Sequence, residues 1–239
     1  MKPRSNPLGV AILAMGLGLF AYFSAEPIRI SLIADVSTGF EPIETSLASG
    51  DLAFLDAGSA IIDNTDASEG IRAVTVLKGA AFFEVSKDDQ PFKVALGDIN
   101  VEVIGTAFET AFVHDTLTVD VAEGVVRVAR DDEVWRLEAG DRFVWSNGEA
   151  LLFSGVGTIS VANWRQNQLI VQNMPVAQVV DILDRRISGG IVILGSGFSD
   201  KTVSGSFDLS DPIGALSILA ATQNARLVSG GLLGTLLMP

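Results

Sequence analysis

The chain has 239 residues, 48% of them hydrophobic, and a formal charge of −13. That length and apolar content suit one membrane segment plus one or two small domains with real cores, and they exclude a disordered chain. The acidity argues against a nucleic-acid partner, which needs a basic face to release counterions, and the lack of cysteine excludes disulfides, thiolate zinc sites and a cysteine nucleophile.

In chain order, the first feature is the uncharged apolar run Leu8 to Ser24, which at about 1.5 Å per residue spans roughly 26 Å, just enough for a bilayer core of about 30 Å. Lys2 and Arg4 precede it and Glu26 follows, so the charge asymmetry places the N-terminus in the cytoplasm and the rest in the periplasm. A cleaved signal peptide is the competing reading. A cut after Ala25 would put Phe23 where a small residue is needed, and a cut after Ser24 would put Tyr22 there, so an uncleaved anchor over residues 8–25, behind a cytoplasmic stub of residues 1–7, is the expectation.

Residues 26–154 read as an all-β domain, a sandwich, roll or solenoid-like stack of short strands. Val74 and Val76, then Ala81, Phe83 and Val85, alternate with small or polar neighbours, with Gly79 read as a turn between two strands. Lys87 to Gln90 form a polar loop, Phe92 and Val94 resume the apolar face after Pro91, and the chain turns again at Gly97-Asp98 before Val101 and Val103. Leu117, Val119, Val121 and Val125, Val126, Val128 read as a hairpin turning at Glu123-Gly124. Asn147-Gly148 is a strong two-residue hairpin signal.

Residues 155–163 lack strong periodicity and form a linker, behind which the period changes. Leu169 and Val171 make a strand, and Pro175 opens a helix with Val176, Val179, Val180, Leu183 and Ile187 on one face and Asn173 as a nearby cap. Ile191 to Leu194 form a strand. The theme then repeats: Val203, Gly205 and Phe207 in a strand, a helix capped at Asp211-Pro212 carrying Ile213, Leu216, Leu219 and Ala220, then closing strands at Leu227-Val228 and Leu232 to Leu237. Residues 164–239 are therefore a small α+β domain of two strand-helix-strand units, in a chain that is mainly β overall.

The Leu77, Gly79, Phe83, Val85, Pro91, Phe92, Val94, Gly105, Thr106, Phe108 series resembles the FecR family of bacterial inner-membrane signalling proteins. So do the valine-rich segments around Glu123-Gly124 and the Leu137, Ala139, Gly140 turn. Leu47, Gly50, Leu55, Ser59 and Ile61 fit the family's opening strands less closely, and Ser49-Gly50-Asp51 stands where an aspartate-glycine-serine turn is usual. The tail, including Trp164, Leu169, Pro175 and Arg185, is similar to the short signalling domain at the N-termini of secretins and TonB-dependent receptors. The resemblance implies surface signalling: a TonB-dependent outer-membrane receptor loaded with a ferric chelate presents its signalling domain, and the state passes across the inner membrane to an extracytoplasmic-function sigma factor. The family's cytoplasmic sigma-binding domain does not fit into Met1 to Pro7, so it is expected upstream of this start or on another polypeptide.

No catalytic constellation emerges, so no enzyme, cofactor or metal is expected. His114 is the only histidine, beside Asp115 at a strand edge, and no nucleophile elbow accompanies it. Asp88-Asp89 and Asp131-Asp132-Glu133 fall at loop tips without calcium-loop spacing, and Gly195-Ser196-Gly197 lacks the lysine of a phosphate loop. Trp135 and Trp145 fit core or edge packing better than a sugar platform. An anchored module binding glycan or peptidoglycan is the alternative function. For the receptor contact, the expected docking residues are Val203, Gly205 and Phe207 on one strand edge and Leu232, Leu233 and Leu236 on another, where a partner strand can add by main-chain hydrogen bonds.

Overall fold

The computed structural model describes residues 30, 32–113, 116–158, 160–193, 201–229 and 235–238. The apolar run 8–25, His114, Gly195-Ser196-Gly197, Leu232 and Leu233 lie outside the described residues. Among the described residues no helix is long and apolar enough to cross a membrane.

The fold is mainly β. Thirteen strands precede the tail: β1 (Val36–Ser37), β2 (Ile43–Ser46), β3 (Leu52–Leu55), β4 (Ala60–Asp63), β5 (Arg72–Glu84), β6 (Phe92–Leu96), β7 (Ile99–Val103), β8 (Ala107–Val113), β9 (Thr116–Glu123), β10 (Val125–Arg130), β11 (Glu133–Glu138), β12 (Arg142–Ser146) and β13 (Glu149–Phe153). They form one sheet folded over on itself. One layer runs β1-β4-β5-β6-β7-β10-β11 and the other β2-β3-β5-β8-β9-β12-β13, and β5 belongs to both. Side chains from the two inner faces fill the space between the layers, with Leu55, Phe83, Phe92, Phe108, Val119, Leu137 and Phe143 inaccessible to solvent. Sandwich-like packing thus replaces the solenoid alternative.

Gly79 is not a turn between two strands. Its φ of +81° bends a single 13-residue strand at the point where β5 leaves one layer for the other. A Cβ there would lie 2.6 Å from the Ser59 Cα, and the Ser59 hydroxyl is itself bonded to the Ala80 carbonyl at 3.0 Å. The bend brings the two ends of β5 together. Arg72 at its start donates to the carbonyls of Ser86 and Gln90 in the following loop and pairs with buried Asp51 at 2.7 Å. The loop end therefore lies beside the strand start, so β6 pairs parallel with β5, Arg72 opposite Phe92.

A second expectation also changes. Glu123-Gly124 does not close a hairpin, because β9 pairs with β8 and β12 whereas β10 pairs with β7 and β11. Gly124, at φ +86°, carries the chain from one layer to the other, where a Cβ would press on the Thr106 methyl group at 2.6 Å. The Asn147-Gly148 hairpin between β12 and β13 is present, both residues at positive φ, as is the tight Gly97-Asp98 turn between β6 and β7.

After Phe153 the chain reaches a 3-10 turn, η1 (Asn163–Gln166), then β14 (Gln168–Pro175), α1 (Val176–Asp184), β15 (Ile191–Ile193), β16 (Thr202–Asp208), α2 (Pro212–Thr222), β17 (Arg226–Ser229) and β18 (Thr235–Met238). Strands β14 and β16 pair antiparallel, and β18 lies between β15 and β17. Pro175 stands at the cap position of α1 without a side-chain cap. Asn173 is not the cap: it bulges β14 at φ +50° and its backbone N–H donates to the Ser204 hydroxyl. Asp211 caps α2 as expected, accepting from the Gly214 amide at 2.9 Å, but Ile213 faces solvent instead of the core.

Candidate functional site

Two regions stand out, an open strand edge and the seam between the β sandwich and the tail. Among the described residues β16 pairs only with β14, so its second edge is open. The Leu209 amide donates to the Asn167 carbonyl at 2.8 Å, in phase with the Leu169–Phe207 and Val171–Gly205 pairs. Donors in an antiparallel ladder alternate in direction. The amides of Gly205 and Phe207 therefore face β14, and that of Ser206 faces the open edge. Gly205 is exposed with open space around it, Val203 is half-buried, and Phe207 is buried against the helices.

The second expected edge is not an edge. In β18, Leu236 lies opposite Val192 on one side and Val228 on the other, so both flanks are already paired. The C-terminal leucine-rich strand instead completes the domain's own sheet, with Leu237 fully buried.

The seam was not foreseen. Across the outer face of the second layer, register places Phe54, Phe82, Glu109, Asp120 and Arg142 in one row on β3, β5, β8, β9 and β12. The tail covers this row. The Arg165 guanidinium stacks over Phe54 at 4.0 Å and Phe82 at 4.2 Å from the ring centroids and pairs with Glu84 at 2.9 Å. Glu109 accepts from the Ala162 amide at 2.8 Å and from the Trp164 indole Nε1 at 2.7 Å. On α1 and its C-terminal turn, Arg186 pairs with buried Asp56 and Arg185 lies 3.8 Å from the same carboxylate. The stem of Arg185 fits over Gly58, where a Cβ would come within 3.1 Å of its Cγ. A groove of about 380 Å³ opens at the rim, lined by Ile43, Phe54, Trp164 and Arg165.

Burial first, then the neighbouring Asp120 and, more weakly, Asp56 together raise the Glu109 carboxyl to about 7, against the lowering effect of the two N–H donors. Burial raises Asp120 as well, opposed by Arg142. Burial likewise lowers Arg185, whose Nε and Nη1 have no hydrogen-bond partner among the described residues, and lowers Lys78. Among the described residues no cluster of three or more metal-ligating side chains forms. Trp135 and Trp145 pack against the core, 6.4 Å apart, with Arg130 over Trp145 at 4.4 Å.

Sequence reasoning missed Glu109 and Asp120 because a carboxylate on an outer strand face is ordinarily solvated, and Asp56 because an aspartate in a turn is too. The available signal was Phe82-Phe83: consecutive large apolar residues in an alternating strand imply cover on both faces.

Comparison with known proteins agrees with this architecture. Residues 34–127 match the FecR protein family. Two crystal structures of a candidate anti-sigma factor from Parabacteroides distasonis ATCC 8503 superpose on the chain. The one at 2.50 Å resolution has a TM-score of 0.77 and 25% identity over 85% of this chain and 97% of that one. The one at 1.65 Å has a TM-score of 0.76 and 25% identity over 84% and 97%. No curated protein matches the chain. The folded-over sheet that Gly79 bends, carrying the glycine-threonine-x-phenylalanine run at Gly105 to Phe108, thus contains a FecR domain over residues 34–127.

Proposed function

We propose that this FecR-type regulator is anchored in the inner membrane by residues 8–25, with its bulk in the periplasm. It relays the state of a TonB-dependent outer-membrane receptor by protein–protein contact, without catalysis. The relay leads to an extracytoplasmic-function sigma factor. The FecR match supports the regulatory class, and the likeness to a candidate anti-sigma factor over most of the chain supports the direction of the relay. The open edge of β16 supports docking by strand addition, because its outward amides lack a strand partner among the described residues. The glycan-binding alternative would need an exposed aromatic platform, and Trp135 and Trp145 are packed against the core instead.

The test measures affinity of the full chain for a purified receptor signalling domain. Ser206→Pro removes one outward donor while the Gly205 and Phe207 pairs with β14 remain, and it should weaken binding about tenfold. No binding by the unsubstituted chain contradicts the receptor reading. Binding that Ser206→Pro leaves unchanged contradicts the docking edge.

A further inference from the structure

Besides Glu84, which pairs with Arg165, the seam holds three carboxylates, and they are not equivalent. Asp56 has Arg186 and Arg185, and Asp120 has Arg142. Glu109 has two neutral N–H donors and, among the described residues, no cation within ion-pair distance, and its register partner on β9 is Asp120. Directly opposed residues on neighbouring strands hold their Cβ atoms about 5 Å apart, and like charges at that separation repel, more strongly where water is excluded. The groups facing Glu109 are Asp120 on β9, Asp56 in the turn after β3, Arg185 beyond α1, and Trp164 in η1, while Arg186 is engaged by Asp56. Arg165 is engaged by Glu84 and the two phenylalanines, and Arg142 by Asp120.

The two donors to Glu109 are Ala162 at the end of the linker and Trp164 at the start of the tail, so the charge state of one side chain on the sandwich acts directly on the contact that holds the tail down. Arg185 adds to the cost of closure, since its Nε and Nη1 are buried without a hydrogen-bond partner among the described residues. We propose that the seam is a proton-operated latch: one proton taken up at the Glu109–Asp120 pair tightens docking of the tail on the sandwich, and its loss loosens it. A carboxyl whose folded-state value lies above its unfolded one binds more protons when docked. Closure is therefore strongest below the ordinary glutamate range, weakens as pH rises through it, and levels off above about 7. Opening would uncover Phe54, Phe82 and Trp164, an apolar surface that the closed form keeps from other partners.

The experiment uses the full chain, labelled with nitrogen-15. The indole N–H resonance of Trp164, assigned with Trp164→Phe, is followed from pH 5 to pH 9 alongside the rate of proteolytic cleavage in residues 155–161. The indole signal should titrate in this range. Asp120→Asn, which removes the opposed charge, should move its midpoint down, and Glu109→Gln should abolish it. Cleavage should accelerate about tenfold between pH 5.5 and pH 8 relative to Glu109→Gln at the same pH values. A flat indole signal, a titration that survives Glu109→Gln, or a cleavage ratio independent of pH would overturn the latch. Should Glu109→Gln fail to fold, Asp120→Asn decides, and an unmoved midpoint there overturns it.

Discussion

Phe83, Phe92 and Phe108 show how much a single residue type decides here. They come from three strands, and the Phe83 ring centroid lies 5.6 Å from that of Phe92 and 5.4 Å from that of Phe108, all three fully buried. Truncating any one to alanine should cost about 3–5 kcal/mol, read from the midpoint of denaturant unfolding. Unchanged midpoints would mean these rings do not form the centre of the core. All three were legible in the sequence, because alternation marks the inner face of a strand without knowledge of its partners. Glu109 was not legible, since its environment is supplied by Ala162 and Trp164, more than fifty residues away. The same holds for Asp51. It stands where a turn residue was expected, yet it is buried, takes the Arg72 guanidinium and accepts from the Ser86 amide at 3.0 Å.

At the scale of elements, phase and location were readable while pairing was not. The strands around Gly79 and Gly124 fall where alternation puts them, but both glycines proved to be crossings between layers. A glycine at positive φ between two apolar runs reads identically as a hairpin turn or as a bend, and only contacts made elsewhere distinguish them. For Gly79 that contact is Ser59, which holds both the amide and the carbonyl of Ala80. Gly79→Ala should therefore destabilise the fold by about 2 kcal/mol or more, combining left-handed strain with collision against the Ser59 backbone. Thermal unfolding measures it. A loss no larger than for an alanine at exposed Gly148, where nothing lies within 4 Å of an added Cβ, would show that the bend tolerates a side chain. The strand-helix-strand repeat of the tail was readable because α1 carries its apolar stripe at helical spacing and Asp211-Pro212 is a strong helix start. The order of its strands was not, and so the C-terminal leucines came to lie in the middle of a sheet.

At the scale of the whole molecule, the FecR sandwich and the tail are joined by a seam that mixes aromatic stacking with buried charge. Such a boundary costs more to close than an apolar one, and it responds to charge changes an apolar one would ignore. The sandwich presents the seam, the tail presents the open edge of β16, and the two surfaces are held by the same short segment, η1 with β14 behind it. A receptor domain adding a strand to β16 would thus act on the element that also contacts Glu109 through Trp164. The central claim is that this edge meets the receptor. The most direct measurement places a photo-activatable cross-linker at position 206 of the full chain in intact cells, with one at exposed Asp132 on the far hairpin as the control. A covalent product with a TonB-dependent receptor is expected from position 206 and none from position 132. Receptor products from position 132 alone, or products from position 206 only with cell-wall fragments, would contradict it.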